Sequence, residues 1–440
     1  MARIVISTLG STGDHFPFIA LGQGLKARGH SVLFAVSASV HPTLKKAGLD
    51  FVPCGKSMSE DDARQRVELF DGSKPMEQMN KLMFGWLMPA VAENYQDLLA
   101  ACKGADALIA TTIQFAAPMV HEKLGLHWVT VSLTPGQFQS NYDTPVHWPL
   151  SRFTLFNRLG WLISKGVIRR KYLPALNRIR AELGFGALKG APAMEDFSRE
   201  LVLLASSPHF TPPRPDWNPC VKQTGYWFYD GKEQSDWKPP AELQAFVENG
   251  AKPLVLSLGS MVQKDPRRIV QIHAEATARL KQRLIIQQGW AQLAINGVDS
   301  GLAPGDLIGA GFLPHEWLFS LARAVIHHGG AGTTARALRH GCPMLIESHG
   351  FDQPYNARCI KALGAGTEIP SHKLSVTGIE SALRHVLSPE VKLKTEEIGI
   401  KIRAEDGVVE ACLLIEDMLG EGGNLSQGAP RNAGKLAASI

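Results

Sequence analysis

Long apolar runs are missing from this 440-residue chain. None reaches the roughly eighteen residues that a membrane-spanning helix needs, so no such helix is expected. Cysteine is sparse and scattered. The six residues, Cys54, Cys102, Cys220, Cys342, Cys359 and Cys412, form no CxxC pair. That spacing implies neither a zinc site nor a disulfide framework, and reduced thiols are expected. Strong charge of one sign is lacking too. The net charge is +5, with 20% charged residues, which gives no ground for a nucleic-acid partner. Mild positive charge suits an anionic small molecule or contact with the inner face of a membrane. No GxGxxG occurs, and with it goes the main support for a nicotinamide dehydrogenase. No internal repeat or low-complexity block is evident. Met1-Ala2-Arg3 runs straight into Ile4-Val5-Ile6, too short and polar for a signal peptide, so a cytoplasmic protein is expected.

What is present is a soluble, enzyme-like composition, 45% hydrophobic, over a length that suits two domains. Short strand and helix signals alternate. Ile4 to Leu9, Ser31 to Val36, Ala107 to Ala110 and Trp128 to Ser132 read as strands. A helix is expected over Phe16 to Arg28, closed by Gly29. The pattern restarts after a Pro- and Trp-rich break. Pro253 to Leu258, Leu284 to Gln287, Ile308 to Phe312, Ala324 to His327 and Pro343 to Glu347 read as strands, with a helix over Arg268 to Leu280. The expected fold class is α/β, with two doubly wound units facing across a cleft. The expected limits are 1–235, a linker at 236–245, a second domain at 246–420 and a loose tail at 421–440. Residues 135–175 hold several aromatics, which suit either the lining of an apolar pocket or a satellite core.

Five segments carry chemistry. The strongest is the strand-to-helix turn His327-His328-Gly329-Gly330-Ala331-Gly332-Thr333-Thr334, with the helix expected from about Ala335. Glycine amides and a helix N-terminus suit a diphosphate. No Gly-Lys-Ser/Thr follows, so this is not a P-loop. Adjacent histidines without i, i+4 spacing or carboxylate companions do not suit a metal. Gly10 to Pro17 places Asp14 and His15 at the end of a strand, as a proton acceptor or simply a helix N-cap. Ser260 follows a strand and reads as a phosphate contact or an ordinary turn. Phe312, Leu313 and His315 suit a flat base or core packing. Asp352 and Gln353 offer the paired donors and acceptors that sugar hydroxyls require, or a polar helix cap.

The turn from His328 to Thr334, with Asp352-Gln353 behind it, resembles the donor signature of family 1 glycosyltransferases. These are the GT-B enzymes that include sterol, antibiotic and rhamnolipid glycosyltransferases. Gly10-Ser11-Thr12-Gly13-Asp14 is similar to the Gly-Ser-x-Gly-Asp segment of bacterial members, and the likeness runs from Ile4 to about Ala404. The resemblance implies two Rossmann-like domains, the second holding a nucleotide sugar. His328, Gly330, Gly332, Thr333, Thr334 and Ser260 would hold its diphosphate, and Asp352 and Gln353 its sugar. Phe312 and His315 fall where plant members have tryptophan and glutamine, which leaves the base open. Asp14 would be the catalytic base, and no clear partner for it stands near Thr111 to Gln114. The implied reaction is an inverting, metal-independent transfer without a cofactor, from UDP-glucose or alternatively dTDP-rhamnose. The acceptor is an apolar hydroxyl compound such as a polyphenol, sterol or hydroxyacyl lipid. A monomer or weak homodimer is expected, and a catalytically silent GT-B partner subunit is the other reading.

Overall fold

A computed structural model describes residues 1–10, 12–55, 73–146, 148–231 and 237–422 of the chain. Ser11, Asp236 and most of the expected tail lie outside them. Two parallel sheets organise the molecule. The first contains β1 (Arg3–Ser7), β2 (Ser31–Val36), β3 (Asp50–Pro53), β4 (Ala107–Thr111), β5 (His127–Ser132), β6 (Leu201–Leu204) and β7 (Val221–Gln223). Its order is β3-β2-β1-β4-β5-β6-β7. The second contains β8 (Leu254–Ser257), β9 (Leu284–Gln287), β10 (Leu307–Ala310), β11 (Ala324–His327), β12 (Met344–Ile346) and β13 (Gly366–Glu368), in the order β10-β9-β8-β11-β12-β13. The order in which strands are added reverses beside the first strand of each sheet, between β1 and β4 and between β8 and β11. Ligands bind at such switch points, beyond the carboxyl ends of the strands.

The strands are apolar on both faces because helices cover both. Ile4 and Ile6 pack to one side of β1 with Phe18 and Leu25, and Val5 packs to the other with Val91 and Leu98. The helices that matter for the site are α1 (Thr12–Ala27), α2 (Pro75–Leu82), α3 (Met88–Ala101), α4 (Thr154–Lys171), α5 (Ala331–Arg339), α6 (Gln353–Ala362) and α7 (Gly407–Gly422). Most expected strands form within a residue or two of their anticipated limits. The short strands β3, β6, β7 and β13 give no separate signal.

Two boundaries differ from expectation. Residues from Ala241 form a helix rather than linker, and its Leu243 and Phe246 are buried with the second core. At the other end, α7 does not stay with the second sheet. Its Ala411, Cys412 and Ile415 are buried in the first core, and Glu416 pairs with Arg28 at 2.6 Å and His30 at 3.0 Å. Gly24 permits this crossing, since a Cβ there would lie 2.6 Å from Val408 Cγ1. The aromatic stretch divides its duties. Phe138 packs on Phe197 and Trp217, Trp161 is fully buried, and Trp148 faces the cleft between the sheets.

Candidate active site

The ends of β1, β8, β10, β11 and β12 open into one cleft of about 1190 Å³ between the two sheets. Asp14, His15, Ser260, Phe312, Leu313, His315, His328, Gly330, Gly332, Thr333, Asp352 and Gln353 all line it. Thr334 does not. It is buried, and its Oγ1 donates to the Gly330 carbonyl at 2.9 Å, inside its own helix.

α5 begins at Ala331, four residues before the expected start, with Gly330 as an extended N-cap. Gly332 and Thr333 therefore occupy the first turn, where helical amides lack internal partners. The turn is tight. A Cβ on Gly330 would stand 2.4 Å from His328 Nε2. His328 is buried, and its Nδ1 has no hydrogen-bond partner among the described residues. Burial, then the nearby His349 and His315, pushes its pKa down to about 3. The ring is neutral near pH 7 and offers one N–H and one lone pair. His327 is used differently. Its Nδ1 accepts the Gly329 N–H at 3.1 Å, and the two rings stand 6.3 Å apart and nearly perpendicular. Among the described residues no group of three His, Cys, Asp or Glu side chains is arranged to hold a metal.

α1 starts at Thr12, so Asp14 lies inside its first turn rather than at the N-cap. The Asp14 carboxylate folds back over Gly10, with Oδ2 2.3 Å from where a Cβ on Gly10 would stand. Asp352 precedes α6 across the cleft, and its Oδ2 accepts from Asn356 Nδ2 at 3.0 Å. Burial, and then the charge of Asp14, raises the Asp352 pKa to about 6. His15 is buried, and burial holds its pKa down at about 4 against a hydrogen bond to the Gly10 backbone.

The remaining positions divide between open and engaged groups. Phe312 is 72% exposed while its neighbour Leu313 is 2% exposed, so an aromatic face stands open in the cleft. The Leu313 carbonyl accepts from Gln287 Nε2 at 3.1 Å. His315 stacks on Phe319 at 4.5 Å and sits 3.4 Å from Ser257 Oγ. Burial, then Arg336 and His340, lowers its pKa to about 3. Gln353 is buried. Its Oε1 accepts the His349 N–H at 2.8 Å and its Nε2 meets Met261 Sδ at 3.2 Å, tying the loop after β12 to that after β8.

Sequence reasoning missed the opposite wall. Met76, Met79, Met83 and Trp86 line the cleft from α2 and the π-helical turn Met83–Leu87 that joins it to α3. The methionines recur at i, i+3 and i+7, a helical signal that was there to find. Trp227, Phe228 and Tyr229, just ahead of the expected linker, line it as well. Arg336 from α5 donates to Asp230 at 3.0 Å and to the Tyr229 carbonyl at 2.6 Å, fastening that segment to the second domain.

Residues 4–140 match the N-terminal domain of glycosyltransferase family 28, and residues 291–406 match the C-terminal domain of the erythromycin biosynthesis protein CIII-like family. Sterol 3-beta-glucosyltransferase UGT80A2 of Arabidopsis thaliana is 30% identical over 429 residues, 93% of this chain. Both halves of the chain are thus similar to glycosyltransferases. The chain spans 64% of the length of the plant relative, and 29% of that of the sterol 3-beta-glucosyltransferase of Aspergillus fumigatus, also 30% identical over 94% of this chain. Solved structures share the GT-B fold. The glycosyltransferase of kitacinnamycin superposes with a TM-score of 0.72 at 20% identity, covering 95% of this chain and 99% of that one. Glycosyltransferase VinC, solved in complex with DTDP, gives 0.68 at 19% identity, covering 96% of this GT-B chain and 100% of its own.

Proposed function

We propose that this chain transfers a hexose, with inversion, from a nucleotide diphosphate sugar to the hydroxyl of an apolar acceptor of about sterol size. One observation carries the reading. The cleft has a polar wall, made of a helix N-terminus, glycine amides and His328, facing an apolar wall of methionine and tryptophan, and Asp14 and Asp352 lie between them. The sterol 3-beta-glucosyltransferase relatives support the acceptor class.

In this reading the diphosphate sits against the first turn of α5, where backbone N–H groups and the helix dipole favour negative charge. Phe312 stacks on the base. Asp14 takes the proton from the acceptor hydroxyl, whose oxygen attacks the anomeric carbon opposite the diphosphate. Charge growing on the leaving group is met by the α5 amides and a neutral His328 N–H, the task a metal ion performs in other sites. Asp352 accepts from sugar hydroxyls. Gln353, engaged by His349 and Met261, fixes the loop that presents Asp352.

UDP-glucose is the favoured donor. A dTDP-sugar is the second reading, supported by the DTDP bound to the fold neighbour VinC. The test is release of free nucleotide diphosphate by the pure protein. UDP-glucose and dTDP-glucose are each offered with a sterol, a flavonoid or no acceptor. Acceptor-dependent release is expected, fastest with UDP-glucose and the sterol. No release with any pair would reduce the chain to a silent binding subunit.

A further inference from the structure

The outer face of α4 is apolar, and among the described residues nothing covers it. Phe153 and Leu155 are each 77% exposed, Leu162 is 67% and Leu159 is 49%. Helical spacing sets Leu155, Leu159, Leu162 and Ile163 on one stripe, while Asn157, Gly160 and Trp161 on the other side are buried. A monomeric surface rarely displays so many large apolar side chains together. Phe84, also exposed, extends the patch near the end of α4 by its ring contact with Tyr172 at 5.5 Å.

Charge says what this face meets. Between Asp143 and Glu182 the chain has no acidic residue. Arg152 and Arg158 are exposed beside the apolar stripe, and Arg169, Arg170 and Lys171 cluster at its C-terminal end. Of these, Arg169 pairs with Glu195, and no ion pair among the described residues engages Arg152, Arg158 or Arg170. An apolar stripe edged by arginines matches the acyl boundary and anionic headgroups of a lipid surface. The face is also continuous with the cleft. Ile163 and Val167 are exposed on α4 and line the cleft as well, on its methionine-rich side.

We propose that α4 docks the enzyme on an anionic bilayer, with the apolar end of the cleft opening onto the membrane so that a lipid-dissolved acceptor passes between Ile163, Val167 and the α2 methionines. This deepens the acceptor reading above. Its test is read without turnover, so the two can fail separately.

The full chain is sedimented with vesicles of phosphatidylcholine and phosphatidylglycerol in equal parts, and with phosphatidylcholine alone. Binding is expected to the mixed vesicles, falling steeply as salt is raised. Arg158→Gln with Arg170→Gln should weaken it on the order of twentyfold, about fivefold for each charge removed. Leu155→Asp, Leu159→Asp and Leu162→Asp together should abolish it. All five sites are exposed and outside the cleft. Circular dichroism and nucleotide diphosphate binding should therefore match wild type, and this control separates lost docking from lost fold. Failure of the wild type to bind mixed vesicles, or equal binding by both variants, overturns the proposal. So does a dimer seen by light scattering that the leucine variant dissolves, which would assign the face to a second copy of the chain.

Discussion

Asp14 and Asp352, one from each domain, face each other across the cleft, and burial together with the Asp14 charge lifts the Asp352 carboxyl to about 6. An ordinary aspartate in the unfolded chain titrates near 3.8. Between these values the folded protein keeps a proton that the unfolded chain releases. Wild-type stability therefore falls as pH rises through that window. Asp352→Asn cannot titrate. It should be more stable than wild type above about pH 6, on the order of 2 kcal/mol after discounting for partial screening by solvent, and lose that advantage below about pH 4. Denaturation midpoints of both proteins across the range check this. An advantage that ignores pH would mean that the Asp352 carboxylate is not held in opposition. The same variant should lose transfer activity, since the site retains this destabilised charge for use.

Asp14→Asn tests the base directly. Turnover should fall on the order of a thousandfold, within the usual range for a general base. Binding of a nucleotide diphosphate, followed by calorimetry, should change less than about threefold, because the α5 amides hold the diphosphate. Near-native turnover would move the proton acceptor to another group. His15 is a poor substitute, buried and held near a pKa of about 4.

Gly330→Ala addresses the donor turn. The backbone at Gly330 has φ −61 and ψ 148, which alanine adopts without strain. The obstacle is the His328 ring, 2.4 Å from the added Cβ. The ring must swing away from the diphosphate position. A loss on the order of a hundredfold in kcat/KM is expected, as for removal of one donor to a developing anion. His328→Ala should cost a similar factor, and the double variant little more than either, since both remove the same interaction. Independent, multiplying losses would show that the glycine acts by another route.

Much of this site was legible before the fold because a parallel sheet delivers every strand-end loop to one edge. Gly10, Ser260, Phe312, His328 and Asp352 each follow a short apolar run, so finding the runs found the cleft wall they share. What escaped depends on partners distant in sequence. The pairing of Arg28 with Glu416 spans 388 positions, and periodicity reports that α7 has an apolar face without saying which sheet receives it. Thr334 is turned away from the cleft for a local reason. Once α5 starts at Ala331, the fourth helical residue turns its hydroxyl back to the Gly330 carbonyl. The methionine wall was missed because helical spacing marks a buried face and does not show whether protein or ligand fills it.

A buried ion pair supports the site from beneath. His273 and Glu347 form a fully buried pair, His273 Nδ1 donates to the Ile269 carbonyl at 2.7 Å, and the Glu347 N–H donates to the His327 carbonyl at 2.8 Å. The pair thus lies directly behind the histidine turn. Burial alone would lower the His273 pKa, but the Glu347 charge and hydrogen bond outweigh it, and the pKa is raised above 6.5. The sign follows. The folded protein binds a proton there that the unfolded chain gives up, so this stabilisation is complete below about pH 6.5 and is lost as pH rises through the higher folded value. Glu347→Gln, which removes the charge that keeps the proton on His273, should cost on the order of 3 kcal/mol at pH 6. Replacing both residues, His273→Leu with Glu347→Met, should recover most of that loss, because no unpaired buried polar group remains. Its unfolding midpoint should also lack the decline that the wild type shows as pH rises above about 6.5. A wild type with no such decline would mean that His273 is neutral when folded, and that the β12 loop is held by packing alone.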